Sequence, residues 1–145
     1  MKTTNPDQTN TREVGPFPIL AGEDLTGKRS RLVKVTHDNG VAETKLPAAI
    51  TDDAFYQLQE EGLDTKLVSI ERFGPHRQFR VPTKDAVNPG DRMVLAAIAG
   101  ADAGMLRKLP AAAGTYRVLA LAAEKGVADQ HTLVDPISAF DVVVP

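Results

Sequence analysis

Pro, Gly and Asp interrupt this chain so regularly that no long helix fits between them. Over residues 88–145, short apolar runs alternate with turn residues at nearly even spacing, as in Asn88-Pro89-Gly90-Asp91 before Arg92-Met93-Val94-Leu95. Strand-length runs separated by such turns are the pattern of a small antiparallel barrel or sandwich. Pro110 and Gly114 bracket three alanines, too few residues to sustain a helix.

The same rhythm extends upstream. Residues 29–36 alternate, with Arg31, Val33 and Val35 on one face and Leu32, Lys34 and Thr36 on the other. His37-Asp38-Asn39-Gly40 is a hairpin turn, because Asn-Gly accepts the positive φ a tight turn needs; residues 41–46 return as its partner strand. Further strands are predicted over 67–70, 78–81, 92–97, 105–109, 115–122, 130–134 and 140–144, the last two parted at Asp135-Pro136. Residues 51–62 read two ways: as a short helix capped by Thr51 and ended by Gly62, or as a strand with Ala54, Tyr56 and Leu58 inward. The β-rich surroundings favour the strand. No exact internal repeat is visible. The expectation is an all-β chain: a single small antiparallel β-barrel or β-sandwich domain over residues 21–145, behind an extended N-terminal arm over residues 1–20.

Composition narrows the function. A chain of 145 residues is one ordinary domain. It is 42% apolar but only 5% aromatic, which implies a thin core between close-packed sheets. A net charge of -2 and a pI near 5.9 argue against binding nucleic acid or an anionic membrane. There is no cysteine, hence no disulfide and no thiolate chemistry. The first residues lack the apolar core of a signal peptide, and no apolar run approaches the ~20 residues of a membrane helix. A soluble protein retained where it is made is therefore expected.

A search for chemistry returns little. His37, His76 and His131 are far apart, without the close spacing of metal-binding pairs. Ser30, Ser69 and Ser138 lack a nucleophile-elbow context. Asp52-Asp53 and Glu60-Glu61 are adjacent, so on a strand each pair points to opposite faces. Gly100-Ala101-Asp102-Ala103-Gly104 lacks the Lys-Ser/Thr of a phosphate loop. No catalytic residue, metal or cofactor is expected, and no enzymatic activity. The basic cluster Lys28, Arg29, Arg31 and Lys34 reads as a solvated strand face, since acidic residues flank it and no aromatic is interleaved. A ligand-binding β-module is the competing class, but the aromatics mostly fall within strands, where they pack.

The polar segment 1–14 cannot bury enough apolar surface alone to offset its ordering entropy. Gly15-Pro16-Phe17-Pro18-Ile19-Leu20 then follows an extended path set by two prolines. Arg12, Val14, Phe17, Pro18, Ile19 and Leu20 are the candidate partner-binding residues. They read either as the first strand of the chain's own barrel or as an arm reaching a neighbour, and one segment can do both.

The order of these pieces resembles a known family. Ala21-Gly22-Glu23-Asp24-Leu25-Thr26-Gly27-Lys28 and Arg31-Leu32-Val33-Lys34-Val35-Thr36 come first. Leu46-Pro47-Ala48-Ala49-Ile50-Thr51-Asp52, the hairpin-like segment around Gly62, and Asn88-Pro89-Gly90-Asp91 follow. Ala103-Gly104-Met105-Leu106, the run from Leu109-Pro110 to Leu119-Ala120 and a terminal apolar strand complete the series. From about residue 19 onward the chain resembles the small capsid cement, or decoration, proteins of tailed bacteriophages. It departs from them at residues 54–64, where Phe, Tyr, Gln and Glu replace small residues. The resemblance implies a structural virion protein on the outside of the head, made in the host cytoplasm. Its implied partners are the major capsid protein and further copies of itself, clustered as homotrimers at three-fold or quasi-three-fold positions. A head-completion or tail component is the alternative.

Overall fold

A computed structural model describes residues 15–97 and 99–145. It is all-β, as expected, and the barrel is drawn twice. β1 (Phe17–Ala21), β2 (Leu32–Asp38), β3 (Val41–Lys45), β4 (Tyr56–Glu60) and β5 (Leu67–Arg72) close a first ring in the order β1-β3-β2-β4-β5. β6 (Phe79–Thr83), β7 (Arg92–Leu95), β8 (Leu106–Lys108), β9 (Gly114–Ala122) and β10 (Gln130–Val144) close a second, β6-β8-β7-β9-β10. Each ring has one parallel pair, β1 with β3 and β6 with β8.

The two rings are one design. Ala21 pairs with Thr44 as Thr83 pairs with Leu106, Leu32 with Gln57 as Arg92 with Leu121, and Leu58 with Ile70 as Ala122 with Val134. The turns repeat as well. Leu25 N–H donates to the Gly62 carbonyl, and Val87 N–H to that of Gly126. Thr65 and Asp129 both take a positive φ, 63° and 61°, and donate back to the ends of β1 and β6, at Ala21 and Thr83. A repeat carried by register and turn bonds leaves only traces in sequence, such as Glu-Glu-Gly-Leu over 60–63 against Glu-Lys-Gly-Val over 124–127.

One sequence reading holds and another changes in detail. Of the two readings of residues 51–62, the strand is the one observed, as β4. The two strands expected over 130–134 and 140–144 are one, β10. Pro136 has no N–H to give, and a register shift between Pro136 and Phe140 absorbs the fault. Beyond it, Phe140 to Val144 pair with Val118 to Gly114, forming a ribbon that extends past the ring.

The core explains why the rings stay together. Ile19, Ala21, Leu25, Val33, Leu58, Val68 and Ile70 fill ring one. Phe79, Val81, Val87, Met93, Leu95 and Leu106 belong to the core of ring two, and Leu32, Ala54 and Phe73 join that cluster from the ring-one side. β2 therefore buries both faces, Val33 into its own ring and Leu32 against the next. Full burial of a leucine contributes roughly 1.5–3 kcal/mol. Hydrogen bonds reinforce the joint. Leu32 N–H donates to the Gly104 carbonyl at 2.8 Å, and the Gln57 side chain, held by the Ser30 carbonyl of its own ring at 3.0 Å, donates across to the Arg80 carbonyl at 2.6 Å. Gly104 sits at φ +77°, and a Cβ there would lie 2.6 Å from the Leu32 carbonyl oxygen, so only glycine allows this approach.

Candidate partner-binding surface

Of the candidate partner residues, Phe17, Pro18, Ile19 and Leu20 lie in β1. They are paired to β5 on one side and reach β3 on the other, as the first strand of the chain's own ring. An arm boundary at residue 20 would cut through this strand. Arg12 and Val14 lie outside the described residues.

Because neighbours on a strand face opposite ways, β1 presents two surfaces. Ile19 points inward and is buried. Leu20 faces outward opposite Leu67, itself 69% exposed, and Pro18 stands beside them. Phe17 belongs to the inward row but stands at the end of the ring, where it is 37% exposed and meets the Tyr56 ring edge-on at 5.9 Å.

The register places other inward-facing residues at that same end. Val35 follows Val33 in the inward row of β2, and Ala42 precedes the buried Thr44 in β3. Phe17, Val35, Ala42 and Tyr56 thus surround the open end of the ring, with Val35 39% exposed and Ala42 open to solvent, and the register sets His37 opposite Ala42 and Arg72 opposite Tyr56 in the same rows. Sequence reasoning picked out Phe17 but not the others. The alternation of Val33 and Val35 was visible; that the row runs out into solvent at Val35 depends on where the ring ends.

On the outer face of ring one, charged groups are engaged locally. Lys34 donates to Asp52 at 2.8 Å. Burial alone would raise the Asp52 pKa, but Lys34 and the N–H groups of Ala48 and Ala49 outweigh it and hold the carboxyl below its usual range. Arg31 is turned to structural use, its guanidinium donating to the carbonyls of Ala101 and Ala103 across the joint. Within the basic cluster, Arg31 and Lys34 are therefore ties rather than free cations.

Elsewhere the ionisable groups brace the fold. Arg77 grips the carboxylate of Glu71, stacks on Phe79 at 4.0 Å, and with His76 holds the Glu71 pKa below the ordinary glutamate value. His76 Nε2 stands 3.7 Å from that carboxylate. Arg117 binds both Asp141 in β10 and Asp53 in the loop before β4. Among the described residues no three His, Asp or Glu side chains converge as a metal site would require.

No protein-family model matches this sequence, and no curated protein matches it. The fold does have a counterpart. The chain is similar to the N base of the head fibre protein gp8.5 of bacteriophage phi29, known from a crystal structure, with a TM-score of 0.60. The match covers 85% of this chain and 93% of that one at 16% identity, so it is a likeness of fold.

Proposed function

We propose that this chain is a structural protein of a tailed bacteriophage head, binding the outside of the assembled shell as a cement protein. The observation that carries the reading is the fold correspondence, over nearly the whole of both chains, with the base of a head fibre. The open end of ring one and the outer face of β1 supply contact surface, and the joined rings supply a single body. The protein works by binding rather than by chemistry. Its partner is the major capsid protein, and its copies cluster as the family resemblance implies.

The physics is linkage. A protein that binds the assembled lattice but not its separated subunits stabilises the lattice by its binding free energy. Heads prepared without this protein should rupture at a lower temperature than heads to which it has been added back. Unchanged rupture despite bound protein would remove the cement role. Copy number separates this from the alternative: hundreds per head mean a shell coat, whereas about six or twelve mean a ring at the head opening or tail. The fold also sets the right truncation. Removing residues 1–14 leaves every strand of ring one in place, whereas removing 1–20 takes most of β1 and opens the ring.

A further inference from the structure

Asparagine is among the chemically labile side chains, and its lability depends on the residue that follows it. The chain has four: Asn5 and Asn88 precede proline, Asn10 precedes threonine, and Asn39 precedes glycine. A following backbone nitrogen that carries a hydrogen can close a five-membered ring on the asparagine side chain, and proline has no such hydrogen. Glycine adds no Cβ to hinder the approach. Asn39-Gly40 forms the tip of the β2–β3 hairpin, beyond the pair Asp38 with Val41, and both residues are exposed. Nothing lies within 4 Å of the point where a side chain on Gly40 would begin. Among the described residues no backbone partner holds the Gly40 N–H.

We propose that Asn39-Gly40 is a site of spontaneous covalent modification, where the asparagine becomes aspartate or isoaspartate with water as the only co-reactant. The Gly40 nitrogen gives up its proton and attacks Asn39 Cγ. The N–Cγ bond forms, the Cγ–Nδ2 bond breaks, and the amide nitrogen takes up a proton and leaves as ammonia. Water then adds to either carbonyl of the cyclic imide. Opening on one side leaves aspartate; opening on the other leaves isoaspartate, with the main chain running through the former side chain. The tip must first swing out of its positive-φ turn, 48° and 82°, and an exposed two-residue loop is where such a swing disturbs least.

The product matters because of what the hairpin carries. An aspartate before glycine suits the same turn and adds one negative charge. Isoaspartate lengthens a loop whose size fixes the register of β2 on β3. β3 in turn closes ring one, and its seam with β1 is short: Leu20 with Glu43 and Ala21 with Thr44, backed by the Gly22 N–H donating to the Thr44 carbonyl at 2.9 Å. Ring two has no counterpart of the site. By register Ala42, at the mouth of ring one, corresponds to Gly104, and Thr44 to Leu106. The connection leading to them holds the short 3-10 helix Gly100–Asp102 and no asparagine. Modification of the hairpin tip therefore acts on ring one. None of this depends on what the chain binds.

The test holds the unaltered full chain for weeks at mildly alkaline pH and follows it by peptide mass spectrometry, with chromatography to separate the two isomeric products. Conversion at Asn39 should run at least about tenfold faster than at Asn88, whose follower Pro89 has no N–H to attack with. Hydrogen exchange of the isoaspartate fraction should then be faster in β3 and at Gly22. It should be unchanged at Lys84, whose N–H makes the matching bond to the Leu106 carbonyl in ring two. Asn39→Asp, which adds the charge without lengthening the loop, should exchange as the original does. No conversion in the folded chain, over a period in which the chain unfolded in urea converts, would overturn the site by showing that the turn blocks it. Unchanged exchange after conversion would overturn the coupling to the seam. Faster exchange in Asn39→Asp would put the charge rather than the loop length in control, and would overturn it too.

Discussion

Ring one and ring two share strand order, register and turn bonding, yet they are filled differently. Thr44 is fully buried in ring one, its hydroxyl spent on the Lys34 carbonyl, where ring two has Leu106. Ring two instead buries a hydroxyl pair, Thr83 with Thr132 at 2.9 Å, where ring one has Ala21 and Val68. The shared part is what the backbone must satisfy: a buried N–H or C=O needs a partner whatever side chain it carries. The interior tolerates exchange of side chains as long as volume and hydrogen bonds are met. The difference that matters lies at the ends, where one mouth is filled from within the chain and the other faces solvent.

Substitutions at matched positions would break or sharpen this comparison. The largest effect is expected at the joint. Gly104→Ala forces a side chain onto a positive φ and against the Leu32 carbonyl, and should cost about 3 kcal/mol or more. The reverse exchange at the matched position, Ala42→Gly on an exposed strand, should cost only about 1 kcal/mol. Urea midpoints at unchanged slope would show it, and equal costs would mean that the two mouths are alike after all.

Next come the leucines. Leu32→Ala and Leu58→Ala should each lose about 3 kcal/mol, but hydrogen exchange should distinguish them. The first removes a contact shared by both cores and should speed exchange in both rings. The second lies within ring one and should act mainly there. The same footprint from both variants would argue against a joint specific to Leu32.

Glu71 tests the brace with pH. Arg77 and then His76 lower its folded pKa, so its contribution is fully present above the unfolded value of about 4.3 and is lost as pH falls through the folded one. Glu71→Gln should cost about 1.5 kcal/mol at neutral pH, for a charged hydrogen bond with one partner half-exposed. It should also flatten the acid limb of a stability profile; an acid limb as steep as in the unaltered protein would place the titrating carboxylate elsewhere.

The smallest effect belongs to the outer wall. Leu67→Ser, at a 69% exposed position, should leave thermal melting within about 0.5 kcal/mol of the original. A larger loss would show that the outer face of β1 and β5 is packed against something in the free protein.

Much of this architecture is legible in the sequence, and the illegible part has a common cause. Asn39-Gly40 announces its hairpin because positive φ, 48° and 82°, is a local demand met by local residue types. The alternation of Val33, Val35 and Lys34 likewise marks a strand. Closure into two rings rests on pairings such as Ile19 with Val68 and Val81 with Thr132, far apart in the chain and written in no single window. Leu32 could not be placed beforehand, because alternation assigns it to the solvent face with Lys34, and only the presence of a second ring buries it. The mouth was half legible for the same reason. Phe17 stood out as an apolar residue between prolines, but Tyr56 lay in the segment that read two ways, and Ala42 carries no signal of its own.

The charge at Arg92 has a consequence for growth. In a tandem where each unit stoppers the next, a second unit ending in another leucine would invite a third, and copies would string head to tail without limit. Arg92, drawn over the Phe140 ring at 5.8 Å, stands where that leucine would be, and the β9–β10 ribbon extends beside it. A molecule with one open ring and one terminated ring cannot lengthen by repeating its own internal joint from copy to copy.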